Sequence, residues 1–136
     1  MFNIVCITNN SKILEKYLDK SLKLQNKKLF KKIYINYDEK IKSLPKQFNI
    51  NLKKFTYPYT LVVHHDVEIL EKKFFEKLNY LIKKIKDFGV IGFSGFNKSG
   101  LEISHMIDTN EYKNTIKKDY QEVVGCDDFC FLVKTD

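Results

Sequence analysis

Eight residues, Thr60-Leu61-Val62-Val63-His64-His65-Asp66-Val67, restrict the fold more than any other stretch, because an apolar run breaks off there into two imidazoles and a carboxylate. The run is too short for a core helix and holds β-formers, so it reads as a buried strand with polar groups at its carboxyl end. In an open α/β sheet the loops at the carboxyl ends of the strands line the crevice where ligands bind. Asp66 is therefore a candidate for gripping a cation or the polar head of a ligand, with His64 beside it. Oxygen ligands suit hard cations such as magnesium or manganese, which bridge to phosphate oxygens. The plainer reading is that His64, His65 and Asp66 form a turn closing the strand, and a lone triplet is more often that.

Around this stretch the chain alternates between the two periods. Phe2–Thr8 is a short apolar run followed by Asn9, Asn10 and Ser11, which predicts a first strand and then a capped helix over 11–24, with Ile13, Leu14, Tyr17, Leu18 and Leu22 on its inner stripe. Ile33–Tyr37 reads as the second strand, closed by Asp38. A carboxylate there reaches a ribose hydroxyl or a base edge, or else caps the short helical piece that Pro45 interrupts. Residues 51–57 form a weaker candidate strand, ended by Pro58. Phe74 to Phe88 carries apolar residues at offsets of three, four and seven, which predicts a helix stopped by Gly89 and followed by a strand over 90–93. Residues 95–110 read as a long loop holding His105. Residues 122–134 look like one long strand, in which Asp127 and Asp128 are costly unless solvated, paired or bound to a ligand. A bulge or break at 125–128 would carry them to the crevice.

The bulk composition narrows the partners. With 136 residues, 43% of them apolar and 30% charged, the chain is a single ordered domain over 1–136. Its net charge of +7 comes from 24 basic against 17 acidic side chains, which favours anionic partners in general. Every basic residue is lysine, spread over the polar faces without a run of five. Arginine, the usual residue for bidentate phosphate and base contacts, is absent, which argues against nucleic acid. Cys6, Cys126 and Cys130 are an odd set with no C-x-x-C pair, against both a disulfide framework and a zinc site built from His64, His65 and a cysteine. Neither a signal peptide nor an apolar run of membrane-spanning length is read, so a cytoplasmic location is expected.

Three local signatures then fall into one order: His64-His65-Asp66-Val67 after an apolar strand; an amphipathic helix leading into Gly89-Val90-Ile91-Gly92-Phe93-Ser94-Gly95; and Glu122-Val123 followed by Asp127 and an apolar strand ending in Lys134. Over nearly the whole chain this resembles the glycosyltransferase-like proteins related to family 2. The resemblance implies a Rossmann-like GT-A nucleotide-sugar transferase core, α/β, with a mostly parallel central sheet and helices on both faces. It also implies a nucleoside-diphosphate-sugar donor bound across the first four strands with a divalent cation, manganese or magnesium. By position, Thr8 and Asn9 would lie near the base and Asp38 near the base or ribose. Asp66 and His64 would lie at the metal and diphosphate, with His64 standing where relatives carry the first acid of Asp-x-Asp. Asp127 and Asp128 would be the catalytic carboxylates on the donor or acceptor side. Relatives usually place the general base in a later acidic motif, beyond the strand that here ends at Lys134.

The expected activity is thus transfer of a sugar to a hydroxyl of a saccharide or lipid-linked acceptor, with peripheral attachment to the inner face of the membrane kept open. The other expectation is a catalytically inactive nucleotide-sugar-binding or structural module.

Overall fold

The first apolar run forms β1 (Phe2–Thr8), of which all but Ile7 is buried. The computed structural model describes residues 1–108, 111–114 and 120–135, those of 105–108 and 111–114 by backbone alone. Asn10 caps the next helix by accepting the Ile13 N–H on its side chain at 3.2 Å. That helix runs as α1 (Ser11–Leu14), a π turn (Glu15–Asp19) and α2 (Lys20–Leu22). It buries Leu14, Leu18 and Leu22. A strict four-residue spacing drifts around a helix of 3.6 residues per turn, and the wider π turn takes up that drift.

β2 (Phe30–Asn36) lies parallel to β1 in a register running from Phe2 opposite Phe30 to Thr8 opposite Asn36. α3 (Leu44–Asn51) follows. Ser43 caps it, and Pro45 sits in its first turn, where a missing N–H costs nothing. Pro45 thus starts the helix that the sequence reading has it interrupt. The expected strand over 51–57 is instead the end of this helix and a 3-10 turn at Leu52–Lys54. β3 (Tyr59–Val63) pairs with β1, also parallel. α4 (Phe74–Ile85) follows, and its stop is Lys86 in the left-handed region at φ 60°, not Gly89.

The remaining chain overturns the expected core. β4 (Val90–Gly92) does not pair with β3, because β9 (Cys130–Lys134) inserts between them, antiparallel to both, in the order β2-β1-β3-β9-β4. β5 (Ser94–Phe96), β6 (Glu102–Asp108), β7 (Glu111–Asn114) and β8 (Gly125–Cys126) form a second, antiparallel sheet in the order β7-β6-β5-β8. The mostly parallel, Rossmann-like GT-A core is therefore corrected to a mixed five-stranded sheet with a second small sheet and few, short helices. The expected loop over 95–110 contains β5 and β6, and the expected strand over 122–134 is two strands broken at 127–129. Close approach of the second sheet requires glycine. A Cβ on Gly92 would stand 2.5 Å from the Cβ of Cys126, and one on Gly95 would stand 2.4 Å from the Gly125 carbonyl.

The main core lies on the face covered by the α1–α2 segment and α4, where Phe75 is fully buried with its ring centroid 5.5 Å from Phe2 and 4.8 Å from Phe30. The opposite face is thinner: Val5, Ile33 and Ile35 pack against Phe48 of α3 and Phe55. The carboxyl ends of the three parallel strands form one rim of the sheet, from which the loops after β1, β2 and β3 leave.

Candidate functional site

Four chain segments meet at that rim. β1 delivers Thr8 and Asn9, β2 delivers Asn36 and then Asp38, and β3 delivers His64, His65 and Asp66. β9 runs the other way, so residues 127–129 enter it from the same rim, and Val63 stands opposite Cys130. The His64 N–H donates to the Phe129 carbonyl at 2.9 Å, which extends the pairing of β3 and β9 past the strand end. The Tyr37 N–H donates to the Thr8 carbonyl at 2.8 Å, doing the same for β1 and β2.

Thr8 is buried, and its hydroxyl is already engaged. It lies 2.9 Å from Nδ1 of His65 and accepts from the Asn10 N–H at 3.1 Å. The pair ties the ends of β1 and β3 together, so Thr8 is a structural latch at the position expected near a base. His65, read from sequence as a turn residue, is its other half; only its adjacency to His64 and Asp66 hinted at this. Asn9, one residue on, is exposed.

His64 and Asp66 are exposed at the strand end, next to the latch. Cys6, buried in β1, has its thiol pushed up to about 12 by burial, with a further push from the negative charge of Asp66. The loop leading on to α4 is pinned beneath by Ile69, buried in the core, and by Gln25, which donates to the Glu71 carbonyl at 2.8 Å.

Asp38 is turned to local work. Its carboxylate accepts the Lys40 N–H at 2.9 Å, while the buried Gln47 brackets its backbone, accepting the Asp38 N–H at 3.0 Å and donating to its carbonyl at 3.2 Å. Asp38 does not cap α3, which Ser43 does; it closes its own turn with Lys40. Asp38 borders a hollow of about 350 Å³ between β2 and α3, lined also by Asn36, Asn51 and Lys54. No hydrogen bond or ion pair recorded among the described residues joins Asp38 to Asp66.

Asp127 and Asp128 occupy the break between β8 and β9, both exposed. Asp127 accepts the Phe129 N–H on its carboxylate at 3.2 Å and donates its own N–H to the Ser94 carbonyl at 2.9 Å. The break resolves the conflict of two acids in an apolar strand: neither is inside a sheet. A second hollow, about 400 Å³, lies at the opposite rim among Phe55, Tyr57, Pro58 and Thr135, and no candidate residue lines it. The side chain of His105 lies outside the described residues.

Of the residues expected at the cation, Asp66 supplies a carboxylate and His64 an imidazole, both exposed. Among the described residues no group of three or more histidine, cysteine or acidic side chains is gathered as for a metal. Two protein donors suit a magnesium- or manganese-type ion that takes its other ligands from a diphosphate and water. Cys6 and Cys130 are buried, and burial pushes both thiols up, so neither supplies a thiolate at neutral pH.

No protein-family model matches the chain, and no curated protein matches it in sequence. Among the described residues no helix is long and apolar enough to cross a membrane.

Proposed function

We propose that this chain binds a nucleoside-diphosphate sugar at the rim formed by Thr8–Asn10, His64–Asp66 and residues 127–129, and transfers the sugar to a hydroxyl acceptor. The observation that carries the reading is that β3 ends in His64–Asp66 beside the Asp127–Asp128 break that leads into β9, the two being joined by the His64–Phe129 backbone bond. Carboxylates from distant parts of the chain are held at one sheet edge with their oxygens in water. That is the disposition a displacement at an anomeric carbon requires. The acceptor oxygen bonds to the anomeric carbon as the bond to the diphosphate breaks, and the acceptor proton passes to Asp127 or Asp128 as general base. A divalent cation held by Asp66 and His64 would neutralise the leaving diphosphate. Asp38, spent on its own turn, has no role in this reading beyond shaping the hollow beside β2.

Isothermal calorimetry with uridine and guanosine diphosphates, each with and without manganese, tests it. Heat is expected for at least one nucleotide in the presence of the cation, and silence with every nucleotide removes the reading. A second reading, a module that binds without chemistry, draws on the Asp127 carboxylate being partly committed to the Phe129 N–H. Nucleotide binding with no donor hydrolysis and no transfer in an acceptor screen would select it.

A further inference from the structure

The surplus charge is confined to one part of the molecule. Residues 20–65 carry eleven lysines against two acids, Asp38 and Glu39, whereas the remaining residues carry thirteen lysines against fifteen acids. The lysines are spread along the chain, and the imbalance comes from where the acids lie. The basic segment builds α2, β2 and α3, and β2 is the outer strand of its sheet. The lysines of β2 and of the turn after α3 border that edge, with Lys32 paired to Asp19.

At the amino end of β2 this edge combines charge with exposed apolar surface. The Lys31 ammonium donates to the Lys54 carbonyl at 3.4 Å, which joins the basic start of β2 to the basic turn after α3. Ile50, at the end of α3, and Leu52, in that same turn, are 54% and 48% exposed and lie close in sequence to Lys53 and Lys54. The two acids of the segment follow the other end of β2. A single exposed aliphatic residue on a domain surface is ordinary, but two of them set beside Lys53 and Lys54 match the chemistry of a membrane–water interface.

We propose that the β2–α3 edge is a docking surface for a bilayer carrying anionic lipids, with Lys31, Lys53 and Lys54 meeting the headgroups and Ile50 and Leu52 entering the acyl boundary. Charge complementarity argues for an anionic surface. The aliphatic residues argue for lipid over nucleic acid. A phosphate backbone gives them nothing to pack against, and this edge has neither arginine nor an exposed aromatic ring for stacking on bases. The proposal stands whether or not the rim binds a nucleotide.

Sedimentation of the whole chain with phosphatidylcholine vesicles, with and without phosphatidylglycerol, tests it at low and at high salt. The chain is expected to pellet with the anionic vesicles alone, and less so at high salt. The charge reversal K31E/K53E/K54E is expected to lower partitioning roughly tenfold or more. I50S/L52S is expected to lower it several-fold. All five side chains are at the surface, so the far-UV circular dichroism of both variants should match the parent; Lys→Gln at the same three sites replaces the reversal if it does not. No pelleting with anionic vesicles, or charge variants that partition like the parent, overturns the proposal. Unchanged partitioning of I50S/L52S, or retention on heparin without vesicle binding, overturns it in favour of a general polyanion site.

Discussion

The two rims of the five-stranded sheet are both edged with polar side chains, and they spend them differently. At the rim where β1 and β3 begin, Asn3 is fully buried and donates to the Tyr57 carbonyl at 3.0 Å and to the Thr60 hydroxyl at 3.1 Å, while its own oxygen accepts the Thr56 N–H at 3.0 Å. Thr60 in turn meets the Thr135 hydroxyl at 2.9 Å, and the Thr135 N–H donates to the Pro58 carbonyl at 3.0 Å. That network closes on itself and locks the end of β9 to the starts of β1 and β3. At the opposite rim the locking is done by one side-chain pair, Thr8 with His65, and by backbone bonds. His64, Asp66 and Asp128 remain at the surface. Polar groups that satisfy one another are structural, whereas carboxylates held in place but facing water are open to a ligand.

The largest expected effect sets the scale for that contrast and comes from the layer beneath both rims. Phe75→Ala removes a fully buried ring that touches Phe2 and Phe30, and it should cost about 3–5 kcal/mol in urea unfolding. Asn3→Ala comes next, at about 2–3 kcal/mol, because it strands buried backbone and hydroxyl partners. If Asn3→Ala were no more harmful than a surface change, the closed network would not be what holds that rim.

Asp66→Asn probes the other rim, and its expected signature is the reverse: stability within about 0.5 kcal/mol of the parent, because the carboxylate is exposed. Affinity for nucleotide with manganese, read by calorimetry, should fall about tenfold or more, equivalent to about 1.4 kcal/mol. A large loss of stability with unchanged affinity would make Asp66 a structural residue and erase the difference between the rims. Thr8→Val should fall between the two patterns. It keeps the shape and breaks the latch to His65, costing about 1 kcal/mol of stability, with a smaller loss of affinity through misplacement of Asp66.

How much of this was legible in the sequence follows from how local each signal is. β1, β3 and α4 are written in short apolar runs or in a helical stripe, and they appear close to where those patterns put them. α3 was half hidden because Pro45, which sits in its first turn, reads as an interruption, and because Asn51 to Tyr57 after it reads as a strand. Part of the second sheet was illegible for a physical reason: β5 and β8 have three and two residues, too few to show a period of two. The position of β9 depends on pairing across the whole chain, which no window of sequence contains. At the rim, strand ends could be read from Thr8, Asp38 and Asp66. The Thr8–His65 pair could not, because it joins residues 57 apart. Asp38 shows the limit most clearly, since its turn with Lys40 and its backbone bonds to the buried Gln47 belong to no strand or helix pattern.

The smallest effect concerns Asp19, a carboxylate spent on the fold, and it supplies a pH-resolved counterpart to Asp66. Asp19 lies in the π turn, accepts the Tyr34 hydroxyl at 2.8 Å, is bonded to the Lys32 ammonium and stands 3.8 Å from that of Lys23. The bond to Lys32, with help from Tyr34, holds its carboxyl below the usual value of 3.8 against an opposing push from burial. Since the folded value is depressed, the stabilisation is fully present above 3.8 and is lost as pH falls below that through the folded value. Side chains of Lys32 and Lys23 are 40% and 66% exposed, so water and salt screen the ion pairs, and the contribution should not exceed about 1 kcal/mol. Urea midpoints measured across acidic pH should therefore show Asp19→Asn less stable than the parent near neutrality, with the gap closing well below 3.8 and shrinking in salt. A gap that stays constant with pH would mean that Asn replaces the carboxylate less well for reasons of shape, and that the charge of Asp19 contributes nothing to holding the π turn against β2.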